Sequence, residues 1–328
     1  MAQTVISTTN NRLVEIDIYR GIAILLVILG HSFCEFPIDL KGEFNSFHLY
    51  ISSFNMQMFF WISGLLFSTK DTWRLFITKK SKRLLLPWIV FVVLSIVLRT
   101  VAGAFTHSQI GSIAHELILA VTTAKYYWFI YALFLMMLLS FSINNKYVLA
   151  FLGGALLLIS LFNLKLSWNS LLIHRLIIFY PWFIGGYLLK DYYLAIRRFI
   201  NNNIRAFLIL AVLVFFTITT LFFKGFLFDF SLVVSLSLCF SLWVMSLWLC
   251  SRIQGETILS YFGKYSLQYY LNHCLIMIVC FYAGAKVYEF SPILSLLIIF
   301  ILGLIISTIM LAIEKKSRLL RLLCGFNK

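Results

Sequence analysis

Arg20 and His31 are the first residues in the chain whose types could do chemistry. Both lie in an apolar run, Ile16–Ser32, IDIYRGIAILLVILGHS. An imidazole, with a reference pKa of about 6.5, can take a proton from a hydroxyl near neutral pH. A guanidinium offers paired donors to a phosphate or carboxylate. The two residues are eleven apart, which on a helix is three turns plus about 20°, so both fall on nearly one face. Their axial separation is about 16 Å at about 1.5 Å per residue. Ionisable groups inside a membrane span are costly and usually face a cavity or the bundle interior. For either residue alone a plain reading serves as well: Arg20 snorkels to headgroups, and His31 is hydrogen-bonded in the bundle. Two on one stripe favour a function. Asp17, three residues before Arg20, can pair with it and orient it. Glu35, one turn beyond His31, can orient the imidazole or reach outer solvent.

The elements that must position these side chains are membrane helices. Of 328 residues, 62% are hydrophobic and 12% charged, against about 45–50% and about 25% in a soluble protein. The apolar excess recurs along the whole chain, so it means many spans rather than one anchor. Ten helices are predicted, over 14–35, 47–68, 84–104, 126–143, 148–165, 171–190, 205–223, 227–250, 261–284 and 292–314. With the N-terminus cytoplasmic, seven of the 27 Lys and Arg fall outside: Lys41, Arg99, Lys125, Lys165, Arg175, Lys224 and Lys286. The other twenty fall inside, which favours an N-in, C-in chain with an even number of spans. The expected fold is thus all-α, a polytopic membrane bundle of about ten transmembrane helices in one domain over residues 1–328. The longest outer loop, about residues 105–125, has room only for a cap. Glu15, Asp17 and Arg20 at the start of the first run, with no small-residue site after it, argue against a cleavable signal peptide.

Composition also excludes several classes. A net charge of +15 could point to nucleic acid, but the basic residues sit in short loops between apolar runs, where they set membrane orientation. The six cysteines form no CxxC pair, and no HExxH or similar metal-ligand spacing occurs. No internal repeat appears that would support an inverted-repeat transporter. His48, His107, His115 and His174 are read as solvated near the outer surface, with His174-Arg175 placed to touch an acceptor.

Five blocks carry a resemblance. Arg20-Gly21 and Gly30-His31 resemble the first-helix signature of the membrane-bound acyltransferase 3 family. Phe54–Phe67, FNMQMFFWISGLLF, is similar to its second-helix block ending in Phe-Phe-x-x-Ser-Gly. Lys79–Pro87, KKSKRLLLP, resembles its basic loop running into proline. Tyr127–Leu133, YWFIYAL, and Gly263–His273, GKYSLQYYLNH, resemble two later blocks, in the family's order. The chain departs at Asn55 and Gln57, where related members often have His and Pro, and at Tyr127, where a His is common.

The resemblance implies transfer of an acyl group, most often acetyl from acetyl-CoA, to sugars of surface polysaccharides, in the plasma membrane (the inner membrane of a bacterium). Its expected partners are acyl-CoA, a glycan or lipid-linked sugar acceptor, membrane lipids and polysaccharide-synthesis machinery, with neither metal nor nucleic acid. Such transfer needs a base, because an alcohol is a poor nucleophile at neutral pH, and His31 suits that duty. A covalent acyl-His intermediate and a serine nucleophile stay open. Arg20, Lys80 and Arg83 are expected to hold the polyanionic donor, although positive-inside charge alone also explains the cluster Lys79, Lys80, Lys82 and Arg83. The same-face geometry lets the pantetheine arm run along the first helix from Arg20 towards His31. The resemblance makes His273 a candidate site residue and inclines Trp128 towards substrate stacking over an interfacial belt. The competing function is a transporter or flippase for a glycan or lipid, and a third is a non-catalytic membrane partner of the synthesis machinery.

Overall fold

The computed structural model describes residues 13–34, 43–106, 112–162, 171–227, 231–253, 255–283 and 292–326, and among them all regular structure is helical. The helices run α1 (Val14–Cys34), α2 (Glu43–Ser52), α3 (Asn55–Leu65), α4 (Trp73–Lys80), α5 (Leu86–Thr106), α6 (Ile113–Thr122), α7 (Trp128–Ile143) and α8 (Lys146–Leu161). They continue as α9 (Leu171–Leu189), α10 (Tyr193–Asn202), α11 (Ile204–Phe223), α12 (Ser231–Arg252), α13 (Ile258–Lys264), α14 (Ser266–Ala283), α15 (Pro292–Lys316) and α16 (Arg318–Leu323). Six stretches among the described residues are long and apolar enough to cross a membrane: Val14–Phe33, Trp73–Val101, Leu171–Leu189, Ile204–Phe223, Ser231–Arg252 and Leu296–Lys316. The chain is an all-helical, multi-pass membrane protein.

Helix occupies each of the ten apolar runs, but two runs are broken. The run over 47–68 divides at Ser53 and Phe54 into α2 and α3. A break at membrane depth leaves carbonyls that need donors. α12 supplies the one at Ser53, where the Ser235 hydroxyl donates; the Phe54 carbonyl accepts from the Met58 N–H at 3.2 Å, with the Cys239 thiol 3.7 Å away. The run over 261–284 breaks at Tyr265, between α13 and α14.

α1 is the buried centre, packed against α3, α12, α13, α14 and α15. Glycines let one of these neighbours, α13, close in. A Cβ on Gly21 would stand 2.0 Å from the Leu259 carbonyl oxygen, and one on Gly263 would stand 1.7 Å from that of Asp17. Only residues without a side chain allow α1 and α13 to touch backbone to backbone. Gly64 and Gly186 do the same for α3 and α9. These contacts explain physically why glycine stands in three of the blocks quoted above.

α10 fills the inner stretch between the apolar runs 171–190 and 205–223, where no helix is predicted. It buries Tyr193 and Ile200. Arg197 forms an ion pair at 2.9 Å with Glu15, which is 1% exposed, and the Tyr193 hydroxyl donates to the same carboxylate at 3.2 Å. Glu15 thereby ties the start of α1 to α10.

Candidate active site

A cavity of about 640 Å³ opens where α1, the end of α4, α7, α13 and α14 meet. Its size suits a drug-sized or cofactor-sized ligand, for which sites run about 300–1,000 Å³. α1 contributes Asp17 and Arg20, and α4 contributes Lys80. Arg83 enters from a π turn, Ser81–Leu85. The cause of that turn is four residues on: Pro87 has no N–H for the Arg83 carbonyl, and its ring would crowd it in an α-helix. The chain winds wider, with the Leu86 N–H donating to Ser81. α13 adds Lys264, and α14 adds Gln268 and Tyr270. Four cations thus surround one cavity. Lys79, from the same basic run, pairs with Asp71 at 2.9 Å and is not among the lining residues.

His31 meets His273 beyond the cavity. Their ring centroids are 5.1 Å apart and the planes are inclined by 58°. His273 is fully buried. Its Nδ1 lies 2.9 Å from the Tyr269 carbonyl oxygen. A carbonyl only accepts, so Nδ1 carries the proton and the neutral ring keeps its lone pair on Nε2. Tyr270 joins the two regions: it lines the cavity, and its ring lies 5.6 Å from that of His273. Asn55 approaches from α3, its Nδ2 within 3.8 Å of where a Gly30 Cβ would be. Its buried Oδ1 has no hydrogen-bond partner among the described residues.

Trp128 stands apart from both groups. The Arg175 guanidinium lies 4.7 Å from its ring centroid, and the Phe179 ring lies at 5.2 Å. The turn before it is held by force. Ala124 and Tyr127 have φ of 51° and 47°, a region that costs a non-glycine residue on the order of 1–3 kcal/mol. Arg175 donates to the Ala124 carbonyl at 2.9 Å, Trp88 to that of Tyr126 at 3.1 Å, and Glu116 accepts from Lys125 and Tyr126 at 2.7 Å each. Tyr127, at a position of departure, reaches Tyr270 with ring centroids 6.2 Å apart.

The structure therefore gathers Asp17, Arg20, Lys80 and Arg83 in one place and joins His31 to His273 in another. Trp128 belongs to neither group, and Glu35 lies outside the described residues. Sequence reading missed Lys264, Gln268 and Tyr270, although all three stand in the quoted block Gly263–His273 that was read for its histidine. It also missed Asn55, which stands beside Gly30 of the first helix, and Gly325 and Phe326, which line the cavity with no motif to mark them. Among the described residues, no group of three or more His, Cys, Asp or Glu could hold a metal ion.

A family model described as an acyltransferase domain matches residues 13–312. No curated protein and no solved structure matches the chain. The matched stretch contains α1 with its arginine and histidine, the π turn and the His273 helix, so the chain belongs to the membrane-bound acyltransferase 3 family.

Proposed function

We propose that this protein is an O-acyltransferase that moves an acetyl group from acetyl-CoA to a hydroxyl of a cell-surface glycan or its lipid-linked precursor. The observation that carries the reading is the succession of a cation-lined cavity, Tyr270 and the His31–His273 pair. Arg20, Lys80, Arg83 and Lys264 receive the donor phosphates, and the pantetheine arm runs along α1 towards His31. Charged contacts of this kind are the strong ones, because guanidinium and ammonium match phosphate oxygens. Asp17 orients Arg20. Ten spans with both termini cytoplasmic put these cations on the side where CoA is found.

His31 takes the proton of the acceptor hydroxyl as its oxygen attacks the thioester carbonyl. The C–S bond breaks, the acyl group stays on the sugar oxygen, and CoA leaves as a thiolate that receives the proton. His273, neutral with Nδ1–H committed to Tyr269, supports the His31 ring rather than replacing it as base. The unpartnered Asn55 oxygen offers an acceptor to a second sugar hydroxyl. The bulk of the membrane around the pair keeps water from competing for the acyl group.

Inverted membrane vesicles given acetyl-CoA labelled in the acetyl group provide the test. Label entering glycolipid or polysaccharide only when the protein is present supports the reading. Incorporation equal to that of vesicles lacking the protein contradicts it.

A further inference from the structure

The matched family stretch ends at residue 312, yet the cavity wall includes Gly325 and Phe326. The chain reaches them by a short hook. Ser317 caps α16, accepting from the Leu320 N–H at 3.4 Å. α16 then ends in a Schellman turn: Phe326 N–H donates to the Arg321 carbonyl at 2.9 Å, Gly325 N–H to that of Leu322 at 3.3 Å, and Gly325 has φ of 71°.

Three contacts fasten this turn to the cavity. The buried Gln268 amide donates to the Cys324 carbonyl at 2.9 Å. A Cβ on Gly325 would stand 2.6 Å from the Arg83 carbonyl oxygen and 2.9 Å from the Pro87 ring. That is the carbonyl Pro87 cannot bond, so glycine alone lets the hook seat on the π turn. The Phe326 ring lies 6.2 Å from Tyr265, whose ring also carries Lys315 at 3.7 Å.

We propose that the hook over residues 317–326 completes the donor site, with Phe326 and Tyr265 forming the aromatic wall for the adenine ring while Arg83, Lys80 and Lys264 take the phosphates. The inference rests on the donor reading of the cavity. A nucleotide carries a flat base beside several anionic oxygens. Phe326 and Tyr265 line the cavity together with three of its cations. Stacking of a base on an aromatic ring is worth enough to shift affinity about tenfold. Phe326 is thus a nucleotide-binding residue outside the matched domain, set in place by Gly325 and Gln268.

The test is CoA binding to the purified full chain, with adenosine 3′,5′-bisphosphate as competitor. Phe326→Ala is expected to weaken both ligands about tenfold. Phe326→Tyr should bind as the wild type does. Phe326→Leu, which keeps apolar bulk against Tyr265 and so keeps the fold, should lose several-fold. CoA binding by both Phe326→Leu and Phe326→Ala with the affinity of the wild type would overturn the hook's role and leave the donor site standing. No CoA binding by the wild type would overturn the hook and the donor reading together.

Discussion

At the scale of single residues, cations that touch the cavity differ from cations that only orient the chain. Arg20 and Arg83 line it; Lys79, four residues before Arg83 in the same basic run, does not. A charge-assisted contact is worth about 1.5–3 kcal/mol, or about 10–100-fold in affinity. Arg20→Ala and Arg83→Ala should each raise the KM for acyl-CoA by about that factor, with a smaller effect on kcat. Lys79→Ala should change neither, because an exposed pair such as Lys79 with Asp71 is worth about 0–1 kcal/mol. Steady-state kinetics with varied acyl-CoA checks all three. Arg20 and the basic run were legible because charge stands out against an apolar background. The contact of His31 with His273 was not, because 242 positions separate them and no periodicity links α1 to α14.

At the scale of elements, the helices were legible as apolar runs but their breaks were not. Nothing in 47–68 announces that Ser235 of a distant helix will satisfy the carbonyl at Ser53. α10 was hidden for a different reason: its basic residues read as positive-inside charge, while Arg197 in fact reaches back to Glu15 on α1. Removing one partner of a fully buried ion pair costs about 3–5 kcal/mol. Arg197 is partly solvated, so Arg197→Ala should cost less, about 2–3 kcal/mol, read as a lowered thermal midpoint in detergent. The glycines carry a sharper consequence. Gly263→Ala forces a methyl group against the Asp17 backbone, with no flexible side chain to yield. It should push α13 from α1, displacing Lys264 from the cavity and Asp17 with it. A variant that retains wild-type thermal midpoint and acyl-CoA affinity would contradict that packing.

At the scale of the whole molecule, a membrane bundle was legible from composition alone, and its sidedness rests on the charge count. Six stretches among the described residues are long enough to span, while α7 and α8 have 16 residues each. At about 1.5 Å per residue a helix of that length covers about 24 Å, short of about 30 Å of hydrocarbon. Local thinning or flanking residues make up such a mismatch. With both termini inside, a cysteine placed at Arg198 should react with an impermeant thiol reagent only from the cytoplasmic face. One placed at Lys224 should react only from the outer face. The reverse pattern would invert the bundle and put the cation cavity on the wrong side for CoA.

The central claim is that His31 takes the acceptor proton during acyl transfer to a glycan. Mass spectrometry of surface glycans tests it, in cells carrying no copy, the wild-type gene, or His31→Ala at equal membrane abundance. An acetyl mass increment on a sugar is expected with the wild type alone, and none in the other two. Normal acylation with His31→Ala would contradict it.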